Sequence, residues 1–219
     1  DRAHTYDWVY HNRGTLRPGF SRRKLKLPLG DSDGYDVIED LRRGRPEGTW
    51  QTTWKQKGSG VRLTMFGSKR ATDVYTGTGP ANVDDPGIGF ASEDVPLIIA
   101  RREGRRRTAF AGSLQAFGAR PAKDAFEQVP IERPDRGRAY RYQSARTDLT
   151  LVVPFLQGAL SCEDITFRGS AVLLDRGKSN RVILCSGSHL RWKDLDITLE
   201  PEGSIEVIED ESGIRIRNL

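Results

Sequence analysis

Nowhere in this chain does an apolar run approach the roughly 20 residues that a membrane-spanning helix needs. The longest runs, Val95–Ala100 and Leu149–Leu156, have the length of strands, so no membrane partner is expected. Cysteine is scarce: Cys162 and Cys185 are the only two, enough for a single disulfide and silent on redox compartment. There is no Cys-x-x-Cys pair and no Cys/His cluster, which excludes the usual self-contained zinc patterns. No cofactor is expected in this chain. A sustained 3.6-residue apolar stripe of helix length is also missing. The opening Asp1-Arg2-Ala3-His4 carries neither an initiator methionine nor a charged-then-apolar signal pattern. It starts as if in mid-strand, and the expectation is a processed, excised or truncated chain.

Positive charge is what the sequence has in excess. Its 219 residues hold 35 Lys and Arg against 30 Asp and Glu, a formal net charge of +5. Of the basic residues 27 are arginine, whose planar fork grips a carboxylate or sulfate with two hydrogen bonds as lysine cannot. That composition suits an acidic polysaccharide, equally a phosphate backbone, and equally a solvated surface. An acidic stretch over 200–211 opposes any reading of the whole chain as a polyanion surface. No aromatic-basic signature of a nucleic-acid module is present, so nucleic acid is not expected as a partner.

Short β-branched or aromatic runs alternate with Gly, Pro, Asn and Asp, the pattern of an antiparallel sheet. They include His4–His11, Thr49–Lys55, Val61–Gly67, Pro96–Arg102 and Arg107–Ala116 early in the chain. Late in the chain come Asp164–Arg168, Ala171–Asp175, Arg181–Ser186, Leu195–Leu199, Ser204–Glu209 and Gly213–Arg217. Tight turns at Arg102–Arg105 and Glu209–Gly213 read as hairpins. Pro18–Gly48, dense in Gly, Asp, Arg and Pro, reads as a long functional loop or a disordered one, and Arg120–Arg138, which also lacks alternation, as an irregular crossing between sheets or subdomains. The fold class expected is all-β: an antiparallel β-sandwich over 1–157, the late part of a larger sandwich, followed by a small C-terminal β domain over 158–219.

The chemistry-bearing residues concentrate at the start. In a strand, side chains alternate between faces, so His4, Tyr6, Trp8 and Tyr10 share one face and Thr5, Asp7, Val9 and His11 the other. An aromatic face with polar tips suits stacking against sugar rings, and a neighbouring Tyr and His suit proton transfer. The same stripe also fits a buried aromatic seam. The expected cleft residues are His4, Tyr6, Trp8 and His11. His189, in Gly187-Ser188-His189-Leu190, reads as a turn or surface residue, and Arg101–Arg102 with Arg105–Arg107 as a basic hairpin tip.

The run His4-Thr5-Tyr6-Asp7-Trp8-Val9-Tyr10-His11 resembles the H-x-Y-D-W-x-x-H strand of heparinase II/III-like polysaccharide lyases, which include oligoalginate lyases. The stretch 93–104 (Glu-Asp-Val-Pro-Leu-Ile-Ile-Ala-Arg-Arg-Glu-Gly) with 108–115 (Thr-Ala-Phe-Ala-Gly-Ser-Leu-Gln) is similar to that group's late sandwich hairpin. Trp50 and Trp54, ahead of Val61–Phe66, extend the likeness, which covers most of 1–155. The resemblance implies the C-terminal portion of a lyase that cleaves uronate-containing polymers by β-elimination, a glycosaminoglycan or alginate being the substrate class. It further implies an N-terminal α/α toroid and upstream sandwich strands as partners, a structural zinc upstream, and a periplasmic or secreted bacterial location. No toroid residue and no H-x-H zinc pattern can be matched here, so catalytic residues stay unassigned and no metal ligand is named. The alternative function is a non-catalytic carbohydrate-binding or interface module.

Overall fold

The computed structural model describes residues 4–26, 29, 35–67, 72–80, 94–104, 108–120, 124–177 and 180–219. Among these there is no helix, and every strand pair is antiparallel. Two compact units divide the chain at Ala122/Lys123. Position 157, where a boundary was expected, lies inside the second unit.

The first unit holds β1 (His4–His11), β2 (Thr15–Pro18), β3 (Arg23–Lys24), β4 (Glu39–Gly44), β5 (Trp50–Gln56), β6 (Ser59–Met65), β7 (Asp73–Pro80), β8 (Asp94–Gly104) and β9 (Gly112–Phe117). One sheet has five strands in the order β1-β8-β7-β4-β3, the other four in the order β2-β5-β6-β9. Their facing sides bury Trp50, Trp54, Leu63 and Met65 against Val74, Ile98 and Ala100, with Trp8 and Tyr10 packed alongside. This is an antiparallel β-sandwich. Alternation drives it: in β5 the residues Trp50, Thr52 and Trp54 turn inward while Gln51 stays exposed.

Strand β8 breaks the alternation because both of its faces are covered. Ile98 and Ala100 enter the sandwich core. Leu97 and Ile99 pack with Leu41 and Tyr75 under Leu25, Leu29, Tyr35 and Ile38. A strand buried on both sides reads as a continuous apolar run, which is what Val95–Ala100 is.

Two expectations are corrected in this unit. Pro18–Gly48 is not simply irregular: β4 sits inside the five-stranded sheet between β7 and β3, bulged between Glu39 and Arg42. Nor do β8 and β9 form a hairpin, since β8 pairs with β1 and β7 while β9 pairs with β6 in the opposite sheet. Arg102 anchors this crossing. It is 3% exposed, donates from Nε to Thr72 Oγ1 at 2.8 Å and from a terminal nitrogen to the Phe66 carbonyl at 3.4 Å. It also bonds the Ala109 carbonyl and lies over the Phe110 ring. Residues 105–107 of the expected basic tip lie outside the described residues.

The second unit is one sheet. Strands β10 (Ala125–Val129), β11 (Gly137–Gln143), β12 (Asp148–Pro154), β13 (Leu160–Cys162), β14 (Ile165–Asp175), β15 (Asn180–Trp192), β16 (Leu195–Asp210) and β17 (Gly213–Asn218) form it. Its order is β10-β11-β12-β14-β15-β16-β17, with β13 on β14. β10 falls within the stretch expected to be an irregular crossing. The Glu209–Gly213 hairpin is present, with Asp210 opposite Gly213.

Six short runs expected late in the chain prove to be three long strands plus β17. Gly169 pairs with Gly187, and Gly187 with Gly203, so three glycines line up across β14, β15 and β16 where the register shifts. A Cβ on Gly187 would sit 2.4 Å from the Arg168 carbonyl oxygen. Glycine at such a row lets backbones close up and the sheet bend. The bend brings Val172, Leu174, Val182, Leu184, Ile205 and Val207 into one core with Ile165, Phe167, Leu190 and Trp192. In β14 the bulge changes which residues face inward, from Ile165 and Phe167 to Val172 and Leu174. Without it the second pair would face solvent. The acidic stretch near the end is partly internal too: Glu206 is buried and bonded by Arg181 and Arg217.

Cys162 and Cys185 are both free thiols. Cys162 is buried in β13, and burial pushes its thiol up to about 11.

Candidate functional site

Strand β1 is the edge of its sheet and pairs only with β8 among the described residues. Its inner face divides in two. Trp8 and Tyr10 stack at 5.9 Å between ring centres, and Tyr10 meets Trp54 edge to face at 5.0 Å. Trp8 and Tyr10 are both half-buried and pack against the sandwich core. His4 and Tyr6 lie further toward the N-terminal end of β1, with ring centres 6.1 Å apart. His4 is exposed and Tyr6 half-buried. Their register partners are Gly104 and Arg102 at the end of β8.

His11 is exposed, at the other end of β1 and on the other face. It is seven residue steps along the strand from His4, roughly 23 Å at strand rise. The structure therefore brings His4 and Tyr6 together and leaves His11 apart. Asp7 does not pair with His11 either.

Asp7 instead forms the centre of a network on the outer face of the five-stranded sheet. It lies opposite Arg101 in the β1–β8 register, and its carboxylate accepts from Arg101 Nε at 2.8 Å and Nη2 at 2.6 Å. The Tyr35 hydroxyl donates to the same carboxylate. Arg101 also donates to the Leu29 carbonyl at 3.3 Å and lies over the rings of Tyr35 and Tyr75. Both ion-pair members are largely covered, with side chains 16% and 12% exposed. Nothing in the local sequence around Asp7 signals this pairing, because Arg101 is 94 residues away.

Burial alone would raise the Asp7 pKa, but the hydrogen bonds from Arg101 and Tyr35 and the Arg101 charge outweigh it, and the net shift is downward. A carboxyl held below its unfolded value adds stability that is present above that value and lost as pH falls through the folded one. Melting temperature is therefore expected to hold across neutral pH and to fall below about pH 4. The Asp7→Asn variant should start lower and show a shallower acid slope. An unchanged slope in thermal melts from pH 3 to 7 would show that Asp7 carries none of it.

A second polar constellation lies in the bent sheet of the other unit. His189 stands in β15, not in a turn, opposite Arg168 and Thr198. Its Nε2 is 2.8 Å from Asp196 Oδ1. With Thr166, Arg168, Ser188, Thr198 and Glu200 it borders a cavity of about 390 Å³.

Among the described residues no three His, Cys, Asp or Glu side chains gather closely enough to hold a metal ion. The chain matches no protein-family model, no curated protein and no solved structure.

Proposed function

We propose that this chain is the C-terminal sandwich portion of a polysaccharide lyase that cleaves uronate-containing polymers by β-elimination. The catalytic toroid and further sandwich strands would come from the parent protein, in the periplasm or outside the cell. The observation that carries this reading is the His4–Tyr6 pair on the open end of an edge strand, beside but outside the aromatic core.

Elimination removes the proton beside the uronate carboxylate, so a base must lie within hydrogen-bond reach. Charge then develops on the carboxylate and must meet positioned donors. One imidazole and one phenol at an edge are insufficient for both tasks. They suit the rim of a cleft, where ring faces and polar tips take up sugar hydroxyls and carboxylates. The chain on its own is accordingly a binding surface without turnover.

Calorimetry with an unsulfated hexuronate, together with ultraviolet detection of unsaturated uronate, tests this. Saturable binding without product is expected, weakened about tenfold or more in a His4→Ala/Tyr6→Ala double variant. Absence of binding would refute the carbohydrate reading. Product formed by the chain alone would refute its dependence on a separate catalytic portion.

A further inference from the structure

Strands β3 and β4 meet in a register that sets like charges face to face. Arg23 lies opposite Arg43, and Lys24 opposite Arg42. Directly opposed like charges destabilise a strand pair, and two successive pairs of this kind call for a reason. Charge concentrates further around the first. Arg22, Arg23, Arg43 and Arg45, with Ser21 and Gly44, line a cavity of about 510 Å³. One carboxylate, Asp73, bonds to this group among the described residues. It accepts from Arg43 Nη2 at 2.6 Å and from Arg45 Nε and Nη2 at 2.8 and 3.3 Å.

The other two guanidiniums have no such neutralisation. Arg22 donates to a neutral partner, Thr76 Oγ1, at 2.7 Å, and burial and the nearby Arg42 both act against its charge. Arg23 is exposed and has no carboxylate partner among the described residues. Four arginines thus border the cavity around the edge strand, Arg22 held on the Thr76 face and Arg43 and Arg45 held by Asp73 on the other, with Arg23 exposed between them.

We propose that this cavity binds a tetrahedral oxyanion, a sulfate or phosphate group. Asp73 shows how a planar carboxylate is taken here, between the forks of Arg43 and Arg45. The remaining arginines are Arg22, just before β3, and Arg23, at its start across from Arg43 in β4. A sulfate or phosphate ester presents three terminal oxygens pointing to different sides, which such a spread of forks can meet. The volume exceeds that of the anion alone and falls in the range of small-ligand sites, leaving room for the group that bears it. The site lies at the opposite edge of the five-stranded sheet from β1. It rests on the β3–β4 geometry and not on the lyase reading.

The test is calorimetric titration of the 219-residue chain at low salt with four probes. These are inorganic sulfate, inorganic phosphate, a sulfated uronate tetrasaccharide and its unsulfated counterpart. Arg23→Glu reverses one exposed charge in the cavity, and Arg191→Glu reverses an exposed charge in β15 as the control. The expected result is saturable binding of the sulfated saccharide, weakened at least about tenfold by Arg23→Glu and unchanged by Arg191→Glu. Binding confined to the inorganic anions, with the same loss in Arg23→Glu, supports the site and makes a free anion its ligand. Absence of saturable binding, or equal weakening by both variants, would overturn the proposal. So would insensitivity of sulfate-dependent binding to Arg23→Glu. Each of these leaves the binding of unsulfated hexuronate at His4 and Tyr6 as a separate outcome.

Discussion

Replacing Trp54 by alanine is expected to lower the stability of the sandwich unit by about 3–5 kcal/mol. Its side chain is among the largest that are fully buried. It joins the two sheets, with its indole between β5 and the edge of Tyr10 on β1. The indole N–H donates to the Pro96 carbonyl at 3.0 Å, a bond that alanine removes along with the ring. That carbonyl keeps the Asn12 backbone N–H at 3.3 Å, so the cost is chiefly lost packing and a cavity. A loss of this size is a large part of the roughly 5–15 kcal/mol that holds a typical domain together. Urea denaturation followed by circular dichroism measures it. A loss under about 1 kcal/mol would mean that Trp54 does not key the two sheets.

A comparable loss, about 3 kcal/mol or more, is expected for Gly187→Ala. Its Cβ would stand 2.4 Å from the Arg168 carbonyl oxygen and under 3 Å from both terminal methyls of Leu184. The methyls can rotate away, but the carbonyl is backbone, so β14 and β15 must separate at the bend. Gly203 supplies the control, because it lies in the same row and a Cβ there meets nothing within 4 Å. Gly203→Ala should change stability by no more than about 0.5 kcal/mol. Equal losses at the two positions, in the same urea experiment, would show that the row matters for backbone freedom and not for close approach.

Those glycines also mark where the sequence could be read and where it misled. Period-two burial in β5 and the unbroken apolar run of β8 were legible, since both are local consequences of which faces are covered. Gly169, Gly187 and Gly203 read as breaks between short strands, because a bend inside a strand and a turn between strands use the same residue. β4 was hidden by its Asp, Arg and Gly content, as its place in the sheet depends on β7 and β3 and not on its own propensity. The β8–β9 crossing looked like a hairpin because Gly104 followed a strand. Arg102, buried there and bonded to Thr72 and to the Phe66 and Ala109 carbonyls, has no local signature in the sequence.

At the candidate site, alternation correctly separated His11 from His4 and Tyr6 and grouped the latter two. It could not tell that Trp8 and Tyr10, on that same face, pack against the core, which depends on where the second sheet ends. The Asp7–Arg101 pair and the Arg23–Arg43 opposition are products of register between distant strands. Neither can be seen without the sheet order.

The most direct test of the account is where an unsulfated uronate oligosaccharide touches the chain, read from amide and side-chain shifts in nuclear magnetic resonance titrations. Saturable changes are expected at His4 and Tyr6 and at their register partners Gly104 and Arg102, and they should vanish in the His4→Ala/Tyr6→Ala variant. Shifts confined to the cavity beside His189, or no saturable shift anywhere, would contradict it.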